Sequence, residues 1–250
     1  MSLLDRLAVG AGVARSLAIY YGQPWRRRAL RRFYAGLIRR DDLVFDIGAH
    51  VGSRARTLHG LGARVVAVEP QPAFHRFLAA TLPAERMILS SEALGARAGE
   101  AVMAISRRHP TVSSLSAAWI EAVGGERGFR GVRWDERCTV PVTTLDALIA
   151  RFGTPAFCKI DVEGMEAEIL QGLTTPIPLL AVEYLPAAMS VAEACVARLE
   201  ALGDYRFNLV VGERHRFVGA DWLGAAEIRL ALKAVAVGGR SGDLYARAAA

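Results

Sequence analysis

From Leu43 onward the apolar residues fall into short β-branched runs, separated by stretches in which they return every third or fourth place. The first pattern is that of strands and the second that of amphipathic helices, so their alternation predicts βαβ units and a largely parallel sheet. Strands are expected at 43–47, 64–69, 86–91, 156–161, 178–184 and 205–211, and helices at 52–61, 72–81, 144–151, 163–171 and 190–202. The alternation fades near residue 210. Two segments interrupt it. ALGARAGEAVMAI at 93–105 reads as a hairpin-like addition, and the Gly-rich stretch 109–134 reads as an irregular loop, long enough to serve as a lid or binding loop. Before Leu43, the spacing of Leu3, Leu4, Leu7, Ala11, Ala14 and Leu17 predicts an amphipathic helix over 3–20, with a second helix over 25–39. The expected organisation is a helical N-terminal extension, 1–40, followed by one α/β domain, 41–250.

Charge refines this division. The formal net charge is +6, but Arg26, Arg27, Arg28, Arg31, Arg32, Arg39 and Arg40 lie in a stretch without acids, and removing those seven leaves −1. A nearly neutral body argues against a protein-wide nucleic-acid footprint. The basic extension reads as a solvated helix face or, alternatively, as a peripheral contact with an anionic membrane. Cys138, Cys158 and Cys195 stand too far apart for a CxxC metal pattern and are odd in number, so a reducing, cytoplasmic setting is expected. Asp5, Arg6 and Arg15 interrupt the apolar N-terminus, so neither a membrane span nor an export signal is expected.

The candidate chemistry starts at VFDIGAHVG, 44–52. Asp46 ends a strand and Gly48 permits a tight turn into a helix, the layout of a nucleotide-binding βα crevice. A dinucleotide site would need GxGxxG so that bare backbone could meet a pyrophosphate, but His50 and Ser53 occupy the second and third glycine positions. A nucleoside cofactor without phosphates fits better. S-adenosylmethionine has cationic groups that suit Asp46, and Glu69, ending the next strand, is placed for both ribose hydroxyls. The plain alternative is a turn cap at Asp46 and a surface ion pair at Glu69; His50 either fills a wall or touches the ligand.

FDIGAHVG, AVEPQP, EALGARAGE, the SSL at 113–115, VPVTTLDAL, KIDVEGMEAEILQGL at 159–173 and SGDLYAR at 241–247 together resemble the FkbM family of S-adenosylmethionine-dependent methyltransferases, from about residue 40 onward. The resemblance implies a Rossmann-like class I methyltransferase with a mostly parallel seven-stranded sheet, one late antiparallel strand, and methyl transfer to oxygen on a sugar, glycan, polyketide or related small molecule. By the same resemblance Asp46, Gly48, Ala49 and Gly52 belong to the glycine loop, Glu69 to the ribose position, and Glu92 with Ala93 to the adenine wall. His50 stands where the family commonly has Asn.

Methyl transfer to a hydroxyl needs in-line alignment and an acceptor for the proton. Alternation along an extended strand puts Lys159, Asp161 and Glu163 on one side, with Asp161 at the carboxyl edge where open α/β sheets bind ligands. Asp161 is the candidate base or acceptor-orienting residue, supported by Glu163 and Lys159, with Glu183 from the next strand end. Against this stands an ion-pair network that merely joins strands. Asp161 could instead ligate a divalent metal, but no second or third ligand is visible in the sequence. In the long loop, Ser113 and Ser114 offer hydroxyls and Trp119 and Trp134 flat faces to an acceptor, with His109 as an alternative base. The rival functions are a non-catalytic S-adenosylmethionine-binding scaffold and a nucleic-acid methyltransferase; the latter lacks any N/DPPY-like element.

Overall fold

The computed structural model describes residues 3–22 and 24–249. In chain order its helices and strands are α1 (Leu3–Tyr21), α2 (Pro24–Ala35), β1 (Leu43–Ile47), α3 (Ser53–His59), β2 (Arg64–Val68), α4 (Pro72–Thr81), β3 (Met87–Ser90), β4 (Ala93–Leu94), β5 (Gly99–Ile105), α5 (Ala117–Gly124), β6 (Glu136–Thr143), α6 (Leu145–Phe152), β7 (Phe157–Ile160), α7 (Glu166–Gln171), β8 (Leu179–Tyr184), α8 (Met189–Leu202), β9 (Tyr205–Val211), α9 (Ala225–Val237) and β10 (Gly242–Ala248).

Seven strands form one sheet in the order β3-β2-β1-β7-β8-β10-β9. All run parallel except β10, which pairs antiparallel with β8 and β9. Both faces are covered, as a parallel sheet requires. On β1, Phe45 and Ile47 join a core with Leu145 and Leu148 of α6, Leu170 of α7 and Leu232 of α9. Val44 points the other way, into a core with Tyr34 of α2, Leu58 of α3 and Leu78 of α4. The strand order reverses at β1, which has β2 on one side and β7 on the other, and such a switch point opens a crevice beyond the carboxyl ends of the strands.

Three expectations need correcting. The segment 93–105 is no hairpin: β4 pairs parallel and β5 antiparallel with β6, which lies between them in a separate three-stranded sheet. The supposed loop 109–134 contains α5, whose N-terminus is capped by Ser116 Oγ accepting from Trp119 N. The alternation does not stop near 210, because α9 and β10 follow. Glycines and a charged helix face at 212–240 hide that last βα unit from pattern reading.

The N-terminal helices pack onto the body. Tyr34 and Ile38 are buried in the second core. On α1 the buried positions are Gly12 and Ser16, whereas Ala11 and Ala14 are exposed and Leu17 is half-buried; the side chains of Leu3, Leu4 and Leu7 lie outside the described ones. Among the described side chains of α1 the docking face is thus a small-residue one. Gly12 presses on the loop after β5, where a Cβ would stand 2.5 Å from the Arg107 carbonyl oxygen. Among the described residues no helix is long and apolar enough to cross a membrane.

This contact can be tested directly. Gly12→Val should lift α1 from the body at a cost of about 1–3 kcal/mol, seen as faster limited proteolysis before residue 22 with the circular dichroism of the remainder retained.

Candidate active site

The turn after β1 is built from left-handed residues: Gly48 (φ 82°), His50 (φ 55°) and Gly52 (φ 75°). Gly48 and Ala49 both donate to the Val68 carbonyl at 2.9 Å, which draws the turn toward the tip of β2. There Glu69 Oε2 accepts from His50 N at 2.7 Å and Oε1 from Gln71 N at 2.8 Å. One carboxylate therefore ties the two βα loops together. Burial pushes the Glu69 carboxyl up to about 7, against the pull of its two N–H donors. Each oxygen keeps a further lone pair for a ligand.

A cavity of about 260 Å³ opens at this switch point. Gly48, Ala49, His50 and Glu69 line one part of it, and Ala93, Leu94 and Met103 continue the wall from Glu69. His50 is a wall residue, with its ring edge-on to Tyr20 at 5.2 Å and to Phe74 at 4.1 Å. Burial lowers its pKa to about 3, so the ring is neutral. A compact turn, a carboxylate with spare acceptors and an apolar extension beside it fit a nucleoside cofactor such as S-adenosylmethionine.

The charged part of the cavity lies on the β7 side. Arg54, in the first turn of α3, places Nη1 3.5 Å from Asp46 Oδ1 and Nη2 3.0 Å from Asp161 Oδ2. Lys159, fully buried, has Nζ 2.8 Å from Asp243 Oδ1 and 3.5 Å from Asp161 Oδ2. Burial alone would raise the Asp161 carboxyl, but Lys159 and Arg54 outweigh it and hold it well below the usual range. Among the described residues Glu163 and Glu183 have no cation within ion-pair distance, and Lys159 pulls on them only weakly. Burial, then the charge of Asp161, pushes both well above theirs. The carboxylate oxygens of Asp161, Glu163 and Glu183 lie within 4.8 Å of one another, so space brings together the second and third oxygen ligands that the sequence did not reveal.

Glu163 is held in a left-handed conformation (φ 59°), an uncommon state for a non-glycine residue and one concentrated at functional sites. Glu166 shapes this bend by accepting from Val162 N and Gly164 N, each at 3.0 Å. α7 consequently starts at Glu166 rather than 163.

Of the other expected site residues, Ser113 lines the cavity, with Oγ donating to Pro110 O at 2.9 Å, and Glu183 lines it too. Ser114 and Trp119 do not; they support the bend from behind. Ser114 Oγ donates to Glu163 O at 2.6 Å, and buried Trp119 fills the space where a Cβ on Gly164 would come within 2.4 Å of it. Trp134 packs on Trp119 and donates Nε1–H to Val112 O. His109 is not among the lining residues. Glu92 turns outward to Arg151 at 2.7 Å, leaving Ala93 on the wall. Asp46 is fully buried behind Arg54 and does not line the cavity, and Gly52 serves the entry to α3 instead.

Sequence reasoning missed Arg54, Asp243 and Tyr20. A signal for Arg54 existed: an arginine in a helix's first turn opposes the helix dipole, so it calls for nearby carboxylates. Asp243 and Tyr20 reach the site only through tertiary packing.

Residues 46–236 match the family profile described as "Methyltransferase FkbM domain". No curated protein matches the chain. Among solved structures, the chain is similar to precorrin-6y C5,15-methyltransferase from Geobacter metallireducens, with 13% identity, TM-score 0.46 and coverage of 91% of this chain and 89% of that one. It is also similar to the C-terminal domain of precorrin-6Y C5,15-methyltransferase from Rhodobacter capsulatus, with 14% identity, TM-score 0.40 and coverage of 90% and 88%. A third is precorrin 8W decarboxylase from Methanobacterium thermoautotrophicum, with 12% identity, TM-score 0.42 and coverage of 86% and 87%.

The turn's tolerance is narrow. A Cβ on Gly48 would stand 1.9 Å from the Asp161 carbonyl oxygen, so Gly48→Ala should force β1 and β7 apart at their tips and lower the melting temperature by several degrees, with a loss of about 1–3 kcal/mol.

Proposed function

The chain belongs to the FkbM methyltransferase family, and from that premise we propose that it methylates a hydroxyl oxygen on a sugar, glycan, polyketide or related small molecule. It is an S-adenosylmethionine-dependent methyltransferase; the choice of oxygen is our reading. What carries that reading is the group of three carboxylates, Asp161, Glu163 and Glu183, beside the cavity, since a hydroxyl must lose a proton when it takes a methyl group.

Bound S-adenosylmethionine supplies a methyl group made electrophilic by its sulfonium. In this reading Glu69 accepts the ribose hydroxyls with its free lone pairs, and Ala93, Leu94 and Met103 flank the adenine. Asp161, ionised and pinned by Arg54 and Lys159, accepts the hydrogen bond that orients the acceptor hydroxyl. Its low pKa makes it a poor base. Glu163 and Glu183, whose proton affinity burial and Asp161 raise, are the better proton acceptors. As the oxygen–methyl bond forms, the hydroxyl proton passes to one of these two carboxylates. Lys159 and Arg54 hold Asp161 ionised, so the orienting hydrogen bond of this reading does not call on a metal. A cytoplasmic setting fits the free Cys138, Cys158 and Cys195.

Labelled-methyl transfer to a panel of sugars and polyols tests the assignment. The wild type should label at least one hydroxyl, undiminished by exhaustive chelation, and the Glu163→Gln/Glu183→Gln pair should lower turnover by about 10²–10⁴-fold while still binding S-adenosylhomocysteine. Binding without transfer to any member would favour a non-catalytic role.

The Glu69 assignment carries a pH signature. The carboxylate, not the carboxylic acid, has acceptors for both ribose hydroxyls, so affinity for S-adenosylhomocysteine should rise as pH passes upward through about 7 and then level off. Calorimetry on Glu69→Gln should find weaker binding with that rise abolished.

A further inference from the structure

The helical pair α1–α2 lies before the family match, which begins at residue 46, yet it supplies Ile19, Tyr20, Arg26 and Arg27 to the cavity wall. Its seat is fixed at several points. Gly12 presses on the Arg107 carbonyl and Pro110, and the Tyr20 ring meets His50. The Tyr21 hydroxyl donates to Val51 O at 3.1 Å and accepts from Arg56 Nε at 3.0 Å. Arg27 rests on that support, with its guanidinium carbon 5.2 Å from the centre of the Tyr21 ring.

Two acids around the cavity are matched within the protein. Asp161 has Arg54 and Lys159, and Asp243 has Lys159. Arg26 and Arg27, by contrast, have no acidic side chain within ion-pair distance among the described residues. Two guanidinium groups that line a cavity without an acidic partner attract an anion, and their forked donors suit the oxygens of a phosphate.

We propose that Arg26 and Arg27 bind a phosphate carried by the acceptor, while the acceptor's hydroxyl lies at Asp161, Glu163 and Glu183. The position of the hydroxyl rests on the O-methyl reading above; the arginine edge rests on its own geometry. The labour is divided along the chain: the family domain holds the cofactor and moves the proton, and the preceding helices select the acceptor by charge. The phosphate belongs either to a soluble ester or to a lipid headgroup, and the exposed Trp25 beside the arginines is compatible with the second source.

Glucose 6-phosphate and glucose, which differ in the phosphate, are the soluble probes, titrated calorimetrically into the enzyme with S-adenosylhomocysteine present. Phosphatidylglycerol vesicles, with neutral phosphatidylcholine vesicles as the control, probe the lipid source by co-sedimentation. The wild type should bind glucose 6-phosphate at least about tenfold more tightly than glucose, and Arg26→Ala/Arg27→Ala should shrink that ratio to about twofold or less with S-adenosylhomocysteine affinity kept. Sedimentation with anionic vesicles alone, lost in the same double variant, assigns the edge to a lipid phosphate. Absence of phosphate-dependent binding in both arms, or its survival in the double variant, overturns the inference. Labelled-methyl transfer on the same preparations reports separately on the O-methyl reading.

Discussion

The site depends on a chain of alternating charges: Asp46, Arg54, Asp161, Lys159 and Asp243, contributed by β1, α3, the β7 tip and β10. Carrying ions out of water is costly, and each would be strongly destabilising if left alone. Here every member has a partner of opposite sign, and the central acid has two. The arrangement lets acids converge at the switch point of a hydrophobic sheet without mutual repulsion opening it. Glu163 and Glu183 stand beside it without an ion pair to its cations, and burial with the charge of Asp161 outweighs the pull of Lys159, so their proton affinity is raised. Two kinds of carboxylate thus arise side by side, one held ionised and the others with raised proton affinity.

Backbone geometry serves the same end. The turn after β1 and the bend after β7 both use left-handed residues, and they meet where Gly48 lies against the Asp161 carbonyl. A side chain at Gly48 has no room there, so the sheet brings the turn after β1 and the bend after β7 into direct contact. The bend is braced by Glu166 from below and by Ser114 and Trp119 from behind. The strain of Glu163 is thereby distributed over a packed surround rather than borne by one residue.

Much of this was legible in the chain because it is local. Hydrophobic period placed β1, α4 and β9 at their observed bounds, and the order of strand-end acids pointed to Glu69, Asp161 and Glu183 as cavity residues. What escaped was set by tertiary contact. β6 enters between β4 and β5 from thirty residues downstream of β5, so no short-range pattern could announce the pairing. Trp119 and Ser114 have the composition of a binding loop, yet they spend it on holding the Glu163 bend. Asp46 reads as a ligand contact until Arg54, eight positions later, folds back over it. The buried Gly12 and Ser16 of α1 escape a search for apolar stripes, because Gly12 offers the body close approach rather than oily surface.

The position of β10 has a consequence for how the molecule is assembled. β9 precedes it in the chain but reaches the rest of the sheet only through it, since β10 lies between β8 and β9. During synthesis β9 therefore emerges with no ladder to join and waits for a strand still to be made. That same strand brings Asp243, the nearest counterion of Lys159, so until it slots in, the lysine must stay hydrated and the neighbouring tips cannot close. Sheet completion and the dehydration of the buried charge cluster are thus a single late event in the life of the nascent polypeptide.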